Sequence, residues 1–398
     1  MNKNDKIALS EDVFFPLFPP QSVIPVRGEG CYIYDSDDKK YLDFAAGIAV
    51  TALGHAHPDY IKVAKEQMEK LMLVPATFIT EEKLYSAQLL ADNTCFDNVF
   101  FTNSGTEAME GALKLARKWA YETKGPDCNE IVAFHNAFHG RTYGAASITN
   151  KSQSQPFFAP YLSGIQFAHF NDINSVKDAI SDKTAAIVIE PVQGEGGVTP
   201  ADKDFMVALR ALCDEQNIAL IFDEIQAGMG RTGTFLAHEQ FGIEPDIATL
   251  AKGLGAGFPV GALVAKKKFG AHFTPGSHGS TYGGNALATK LAGFVMETIL
   301  ADGFMEHVST MGQRLTAGLE DIKRRTNKIE DVRGMGLMIG VDTTWDIATL
   351  RNALMEAGLL TTQAGANTLR LTPPLIVSAD EIDEALHIIE TVLRSQDT

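Results

Sequence analysis

Lys252 lies in the segment Leu250-Ala251-Lys252-Gly253-Leu254-Gly255, just after the apolar run Asp246–Leu250. Its small neighbours leave room for a flat ligand, and the apolar wall disfavours an ammonium. A neutral amine in such a place is a nucleophile that can form a Schiff base with a carbonyl. Taken alone, Lys252 reads equally as a loop lysine with a buried stem and its head in water.

Asp223 adds a second piece. Ile218-Ala219-Leu220-Ile221-Phe222 is a continuous apolar run of the kind buried on both faces in a parallel sheet, and Asp223-Glu224 follow at its carboxyl end. Ligands of open α/β sheets gather outside that end. A carboxylate there can keep a pyridine nitrogen protonated and the ring an electron sink. It can as readily cap or pair within the fold. A third piece is Asn103-Ser104-Gly105-Thr106-Glu107, between the strand-like Asn98-Val99-Phe100-Phe101 and a helix with the apolar face Ala108, Ala112, Leu115, Ala116, Trp119. Ser104, Gly105 and Thr106 at that helix start offer free N–H groups and a positive dipole end to a phosphate, or form an ordinary N-cap. In Phe138-His139-Gly140-Arg141-Thr142, Phe138 can stack on a planar ring and Arg141 can clamp a carboxylate with two parallel bonds. A core phenylalanine and a surface arginine are the plainer alternatives. Together these four segments supply what a pyridoxal phosphate site needs.

The elements that must carry them are legible as an alternation. From about 56 to 290, apolar strand runs (Ile131–Phe134, Ala185–Ile189, Ile218–Phe222, Val260–Ala265) alternate with helical patterns, which predicts an α/β unit with a mostly parallel sheet covered on both faces. Residues 1–29 read as a proline-containing arm (Pro16, Pro19, Pro20, Pro25). Residues 30–55 read as short strands around a turn at Asp35–Lys39. After about 291 a smaller α+β unit is expected, with a long helical stretch, the segment Val332–Val341, a helix near Leu350–Ala357, the strand-like Leu369–Leu371 and a final amphipathic helix from Asp380. The three expected parts are 1–55, 56–290 and 291–398.

Bulk properties remove other classes. With 398 residues, two or three domains are expected. A formal charge of −16 argues against nucleic-acid or anionic-membrane partners, and Lys266-Lys267-Lys268 and Lys323-Arg324-Arg325 read as solvated faces. No apolar run approaches a membrane span, and Met1–Lys6 lacks the apolar core of a signal peptide. Cys31, Cys95, Cys128 and Cys213 show no paired metal spacing and fit a reducing cytoplasm. Gly228-Met229-Gly230-Arg231-Thr232-Gly233 matches G-x-G-x-x-G by letter, but its acids Asp223-Glu224 precede it rather than following by about 20 residues. His55 and His57 lack further ligands nearby and read as structural histidines, so no metal is expected.

In order along the chain stand NSGTEA (103–108), AFHGR (137–141), EPVQGEGG (190–197), FDEIQ (222–226), Ala251-Lys252 and GSTYGGN (279–285). This series resembles the class III (ω-type) pyridoxal-phosphate-dependent aminotransferases, from about Pro16 to near the C-terminus. The resemblance implies a fold type I enzyme with a mostly parallel seven-stranded sheet, a small domain joined by the N-terminal segment, and a cytoplasmic homodimer with shared active sites. It implies that Lys252 carries the cofactor and moves the proton, that Asp223 pairs with the ring nitrogen, and that Gln226 bonds the ring hydroxyl. Phe138 would stack on the ring. Ser104, Gly105, Thr106 and, from the partner subunit, Thr281 would hold the phosphate.

For the substrates the resemblance implies N2-acetyl-L-ornithine and 2-oxoglutarate, giving N-acetyl-L-glutamate 5-semialdehyde and L-glutamate in arginine biosynthesis. Arg141 would clamp the donor α-carboxylate. Arg370 would receive 2-oxoglutarate or glutamate, and Glu195 would pair with Arg370 while the terminal-amine donor is bound. Relatives that act on free ornithine carry a tyrosine where Gly47 stands, and a glycine opens volume for an acyl group. The chain departs from close relatives at Pro75–Glu81, a segment expected to bear on acyl preference. Succinylornithine or other ω-amine donors, a mutase or racemase on the same scaffold, and a cofactor-free binding protein are the other readings.

Overall fold

The strands of the central sheet are unbroken apolar runs because both faces are covered. Val132, Phe134, Ile187, Ile189, Leu220 and Phe222 point into one core, and Ile131, Ala133, Ala186, Val188, Ala219 and Ile221 into another. The structure is a computed structural model that describes residues 1–18, 20–150 and 155–395, so Pro19 of the expected arm lies outside the described residues.

Seven strands lie in the order Asn98–Thr102, Gly261–Ala265, Ile247–Leu250, Ala219–Asp223, Thr184–Ile189, Glu130–Phe134, Ile165–Ala168. All are parallel except Gly261–Ala265, which runs antiparallel to both neighbours. The helix Gly105–Lys124 packs across one face. Ser104 caps it by accepting from the Glu107 N–H, and Ala108, Ala112, Leu115, Ala116 and Trp119 are buried. No helix among the described residues is long and apolar enough to cross a membrane.

The C-terminal part holds a four-stranded antiparallel sheet, Ile329–Met335, Met338–Thr343, Thr368–Leu371 and Thr362–Ala364, under the helices Phe304–Thr326, Ile347–Glu356 and Ala379–Arg394. The segment Val332–Val341 is thus a hairpin that turns at Gly336-Leu337. Near the other terminus, Pro25–Glu29, Tyr32–Asp35 and Lys40–Asp43 form a second sheet, whose last strand pairs in parallel with Leu359–Leu360. Thr372 donates its N–H to Phe44 O (2.8 Å) and Leu375 donates to Ala52 O (2.8 Å). These bonds fasten the segment carrying Gly47 and Val50 beside the strand of Arg370.

Two expectations change. Lys3–Val13 is a helix, set by a capping box between Asn2 and Asp5, and it buries none of its residues. With no apolar stripe it left no periodic signal. The helix expected after about 291 starts at Ala286, where Asn285 caps it by accepting from the Ala288 N–H. It packs against Pro58–Lys70 and Glu81–Asn93, so it belongs with the helices flanking the large sheet.

Candidate active site

The carboxyl ends of Asn98–Thr102, Thr184–Ile189, Ala219–Asp223 and Ile247–Leu250 open onto one cavity of about 460 Å³. Ser104, Gly105, Thr106, Phe138, Arg141, Asp223, Gln226 and Lys252 all line it. They come from loops spread over about 150 residues, gathered because parallel strands deliver their following loops to the same edge. A wider depression at Asn171, Lys203 and Phe205 offers one lysine beside acids and none of this chemistry.

Asp223 is buried and fully engaged. Its Oδ2 lies 2.7 Å from His139 Nδ1, and its Oδ1 accepts from Ile225 N–H (3.1 Å) and from the Thr249 hydroxyl (3.4 Å). Burial alone would depress the His139 imidazole, but the bond to Asp223 and the nearby Glu190 hold it above its ordinary value. The pair therefore fixes a buried carboxylate in the cavity wall, where it can meet a ligand nitrogen. His139 Nε2 has no partner among the described residues.

Lys252 follows the neighbouring strand. Burial, with Arg370 adding, pushes its amine down to about 8, while Glu195, Asp223 and Glu190 oppose the shift. Its backbone has φ +45°, a left-handed conformation that a lysine rarely adopts and that concentrates at functional sites. Phe138 is half-buried in the same lining, with the exposed Arg141 guanidinium 5.5 Å from its ring centre.

At the helix start, the N–H groups of Gly105 and Thr106 meet no acceptor among the described residues. A Cβ on Gly105 would stand 2.7 Å from Ile225 Cδ1, and one on Gly140 would collide with Thr106. The turn therefore needs glycine at both places. The Thr106 hydroxyl lies 2.7 Å from that of Thr142, which donates to Glu110 (2.5 Å), so Thr106 meets an anion through its backbone N–H. A buried amine lowered to about 8, a buried acid in the same cavity wall and two N–H groups without acceptors among the described residues suit a phosphorylated pyridine, so the residues fit pyridoxal phosphate.

Arg370 and Glu195 form an ion pair of 2.5 Å beside the cavity. Arg370 is almost wholly buried. It also donates to Gly194 O (3.0 Å), Gln226 Oε1 (3.3 Å) and the Thr362 hydroxyl (3.0 Å). Gln226 thus joins this pair to the cavity wall. Gly47 is exposed at φ +62°, and a Cβ there would meet only Val50, whose side lines the cavity. Thr281 is exposed and does not line the cavity of its own chain, although its neighbour Ser280 accepts from Asn103 Nδ2 (3.4 Å).

Two titratable residues of the cavity lining have no role that the sequence motifs assign. His139 stands inside the motif that supplied Phe138 and Arg141, and Glu190 opens the motif that supplied Glu195. No spacing rule links either to Asp223. The glycine-rich 228–233 segment is a joint: the buried Arg231 donates to Leu337 O (2.9 Å) and Pro373 O (2.6 Å), and receives the Leu337 N–H (3.0 Å). His55 bonds Asp43 (2.8 Å), and His57 caps the helix Pro58–Lys70. Among the described residues, no group of three or more His, Cys, Asp or Glu is placed to hold a metal ion.

Comparison with known proteins gives one answer. The family profile described as aminotransferase class-III matches residues 18–393. Acetylornithine aminotransferase of Clostridium acetobutylicum is 44% identical over 369 residues, covering 92% of this chain and 95% of that one. A crystal structure of acetylornithine aminotransferase from Elizabethkingia anophelis superimposes with TM-score 0.89 at 31% identity, covering 99% of this chain and 100% of that chain. Ornithine aminotransferase from Toxoplasma gondii superimposes with TM-score 0.95 at 30% identity, covering 100% and 95%, and its structure reveals partial occupancy of PLP at the active site.

Proposed function

The chain belongs to the class-III aminotransferases, and on that premise we propose that it transfers the terminal amino group of N2-acetyl-L-ornithine to 2-oxoglutarate, as a step of arginine biosynthesis. The observation that carries this reading is the pair of the buried Arg370 with the partly exposed Glu195 beside the Lys252–Asp223 cavity. The two half-reactions present different groups to one site, first a terminal amine on an acylated chain and then an α-amino acid with two carboxylates. An arginine whose charge can be masked by Glu195 and unmasked suits both.

Pyridoxal phosphate, when bound, supplies the electron sink that lets a proton leave the substrate carbon. Gly105 and Thr106 would hold its phosphate through backbone N–H groups, with Thr281 contributed by a second copy of the chain. Phe138 would pack on its face, Gln226 would meet the ring hydroxyl, and Asp223 would hold a proton on the ring nitrogen. Lys252 would hold the group through its amine and would serve as the acid and base that moves the substrate proton. Arg141 orients the α-carboxylate of the acylated donor, and Gly47 with Val50 leaves room for the acyl group. The homodimer and a cytoplasmic setting belong to the same proposal. The exposed Phe14, Phe15, Leu17 and Phe18 supply apolar surface for a partner to cover.

Single-turnover absorbance changes of the holoenzyme with N-acetylornithine, N-succinylornithine, ornithine and glutamate test it. Fast conversion by N-acetylornithine and glutamate, with slow conversion by ornithine, is expected. Equal or faster conversion by ornithine overturns the acylated-donor assignment.

A further inference from the structure

Glu190 is a buried carboxylate in the cavity wall that none of the chemistry above uses. It stands immediately after the strand Thr184–Ile189 and before Pro191. Its Oε2 accepts the Phe138 N–H at 3.1 Å, and its Oε1 accepts the Gly194 N–H at 3.2 Å. One carboxylate thus joins the loop that brings Phe138 to the cavity with the loop that carries Glu195.

The Gly194–Glu195 backbone is held at two further points. Gly194 O accepts from Arg370 at 3.0 Å, and Glu195 O accepts the Gly365 N–H at 2.7 Å. A Cβ on Gly194 would stand 2.5 Å from the Gln226 side chain, so the backbone also lies hard against that wall. Glu195 itself is different: its side chain is 36% exposed, against 2% for Arg370. The arginine is the fixed half of the pair and the glutamate side chain the half with room to leave. How well Glu195 masks Arg370 then depends on how firmly its backbone is held.

We propose that Glu190 is a positioning residue for the Arg370–Glu195 pair, pinning Gly194 to the Phe138 backbone so that Glu195 is presented to Arg370 in register. The inference rests on the reading of Arg370 as the dicarboxylate site. A carboxylate suits this task because each oxygen accepts one N–H, whereas the amide of glutamine turns a donor toward one of them. Burial pushes the Glu190 carboxyl up to about 7; His139 opposes that shift and Asp223 adds to it. Lys252 is the other charged group within its influence. As pH falls through that value the acid gains a proton, loses an acceptor and loosens one loop.

The test is binding of glutarate, a dicarboxylate with no amine to react, to the holoenzyme by calorimetry. Glu190→Gln should bind glutarate about three- to tenfold more tightly than wild type, because a badly presented Glu195 competes less well for Arg370. Glu195→Ala should also bind more tightly, and the double variant no more tightly than Glu195→Ala alone. An unchanged affinity in Glu190→Gln, or a gain that persists in full when Glu195 is already absent, overturns the proposal. Arg370→Lys separates the two readings. If it leaves glutarate affinity unchanged, the assignment of Arg370 fails and the proposal with it. If it weakens binding while Glu190→Gln does nothing, only the role of Glu190 fails. Should Glu190→Gln not fold, wild type and Glu195→Ala still decide: their affinities should converge as pH drops from 8.5 to 6, and a constant ratio overturns the proposal.

Discussion

Asp223 Oδ2 and His139 Nδ1 stand 2.7 Å apart in the buried part of the cavity wall, where burial lowers the imidazole and the contact with Asp223 more than offsets it, raising it above its ordinary value. Asp223 therefore lines the cavity with an imidazole against one of its oxygens. Replacing Asp223 by Asn keeps the size and removes the carboxylate proposed to hold a ligand proton. We expect kcat to fall by roughly 10²–10⁴-fold with the fold intact. His139→Asn should cost less, because the Ile225 N–H and the Thr249 hydroxyl still hold the carboxylate. Steady-state rates with far-ultraviolet dichroism decide, and near-normal turnover by Asp223→Asn would refute the assignment.

Borohydride treatment of the holoenzyme followed by peptide mapping should place the reduced cofactor on Lys252. Label on any other lysine contradicts the assignment. Because burial lowers this amine to about 8, its neutral fraction in the apoenzyme grows as pH rises through that value. The rate of cofactor recapture should climb from pH 6.5 and level off above about pH 8.5. A rate still climbing steeply at pH 10 would mean an ordinary exposed lysine. Lys252→Ala should retain cofactor by its phosphate contacts and show no steady turnover.

Thr281 is exposed and stands apart from the cavity of its own chain. If it completes the cavity of a second copy, Lys252→Ala and Thr281→Ala protomers should complement each other. In a mixed dimer one site collects both lesions and the other has neither. Activity should return on subunit exchange, up to the level of one intact site per dimer. Hybrids proven by mass spectrometry but no more active than the parents would place Thr281 outside the shared site.

Much of the scaffold can be read from residues because parallel strands buried on both faces leave unbroken apolar runs such as Ala219–Phe222. The same burial hides direction. Gly261–Ala265 runs against its neighbours, yet its five buried residues look like any other central strand. Contacts across long separations leave no local trace: nothing in Lys40–Asp43 announces its pairing with Leu359–Leu360, and nothing in His139 announces Asp223. The helix Lys3–Val13 was invisible because it buries nothing. Residue chemistry alone marked Lys252, Asp223 and the Ser104–Thr106 turn as candidates. The pairing of Glu195 with Arg370 came from the family resemblance, since no spacing connects positions so far apart.

That pairing sets the donor preference if masking is its purpose. With Glu195 in place, Arg370 is neutralised at 2.5 Å and the cavity receives the terminal amine of an acylated donor without a competing charge. With Glu195→Ala the arginine is free for α-carboxylates, and a bidentate charge-assisted pair is a strong hold. The half-reaction with glutamate should therefore speed up relative to that with N-acetylornithine. A lost pairing of about 1.4 kcal/mol shifts the ratio roughly tenfold. Arg370→Lys should move it the other way, because an ammonium cannot reproduce the planar fork. It should weaken glutamate and 2-oxoglutarate and largely spare N-acetylornithine, whose carboxylate is assigned to Arg141. Single-turnover spectra with each donor measure both ratios. If the two variants slow both donors equally, the pair is structural, and donor choice must lie with Arg141 and the open corner at Gly47 and Val50.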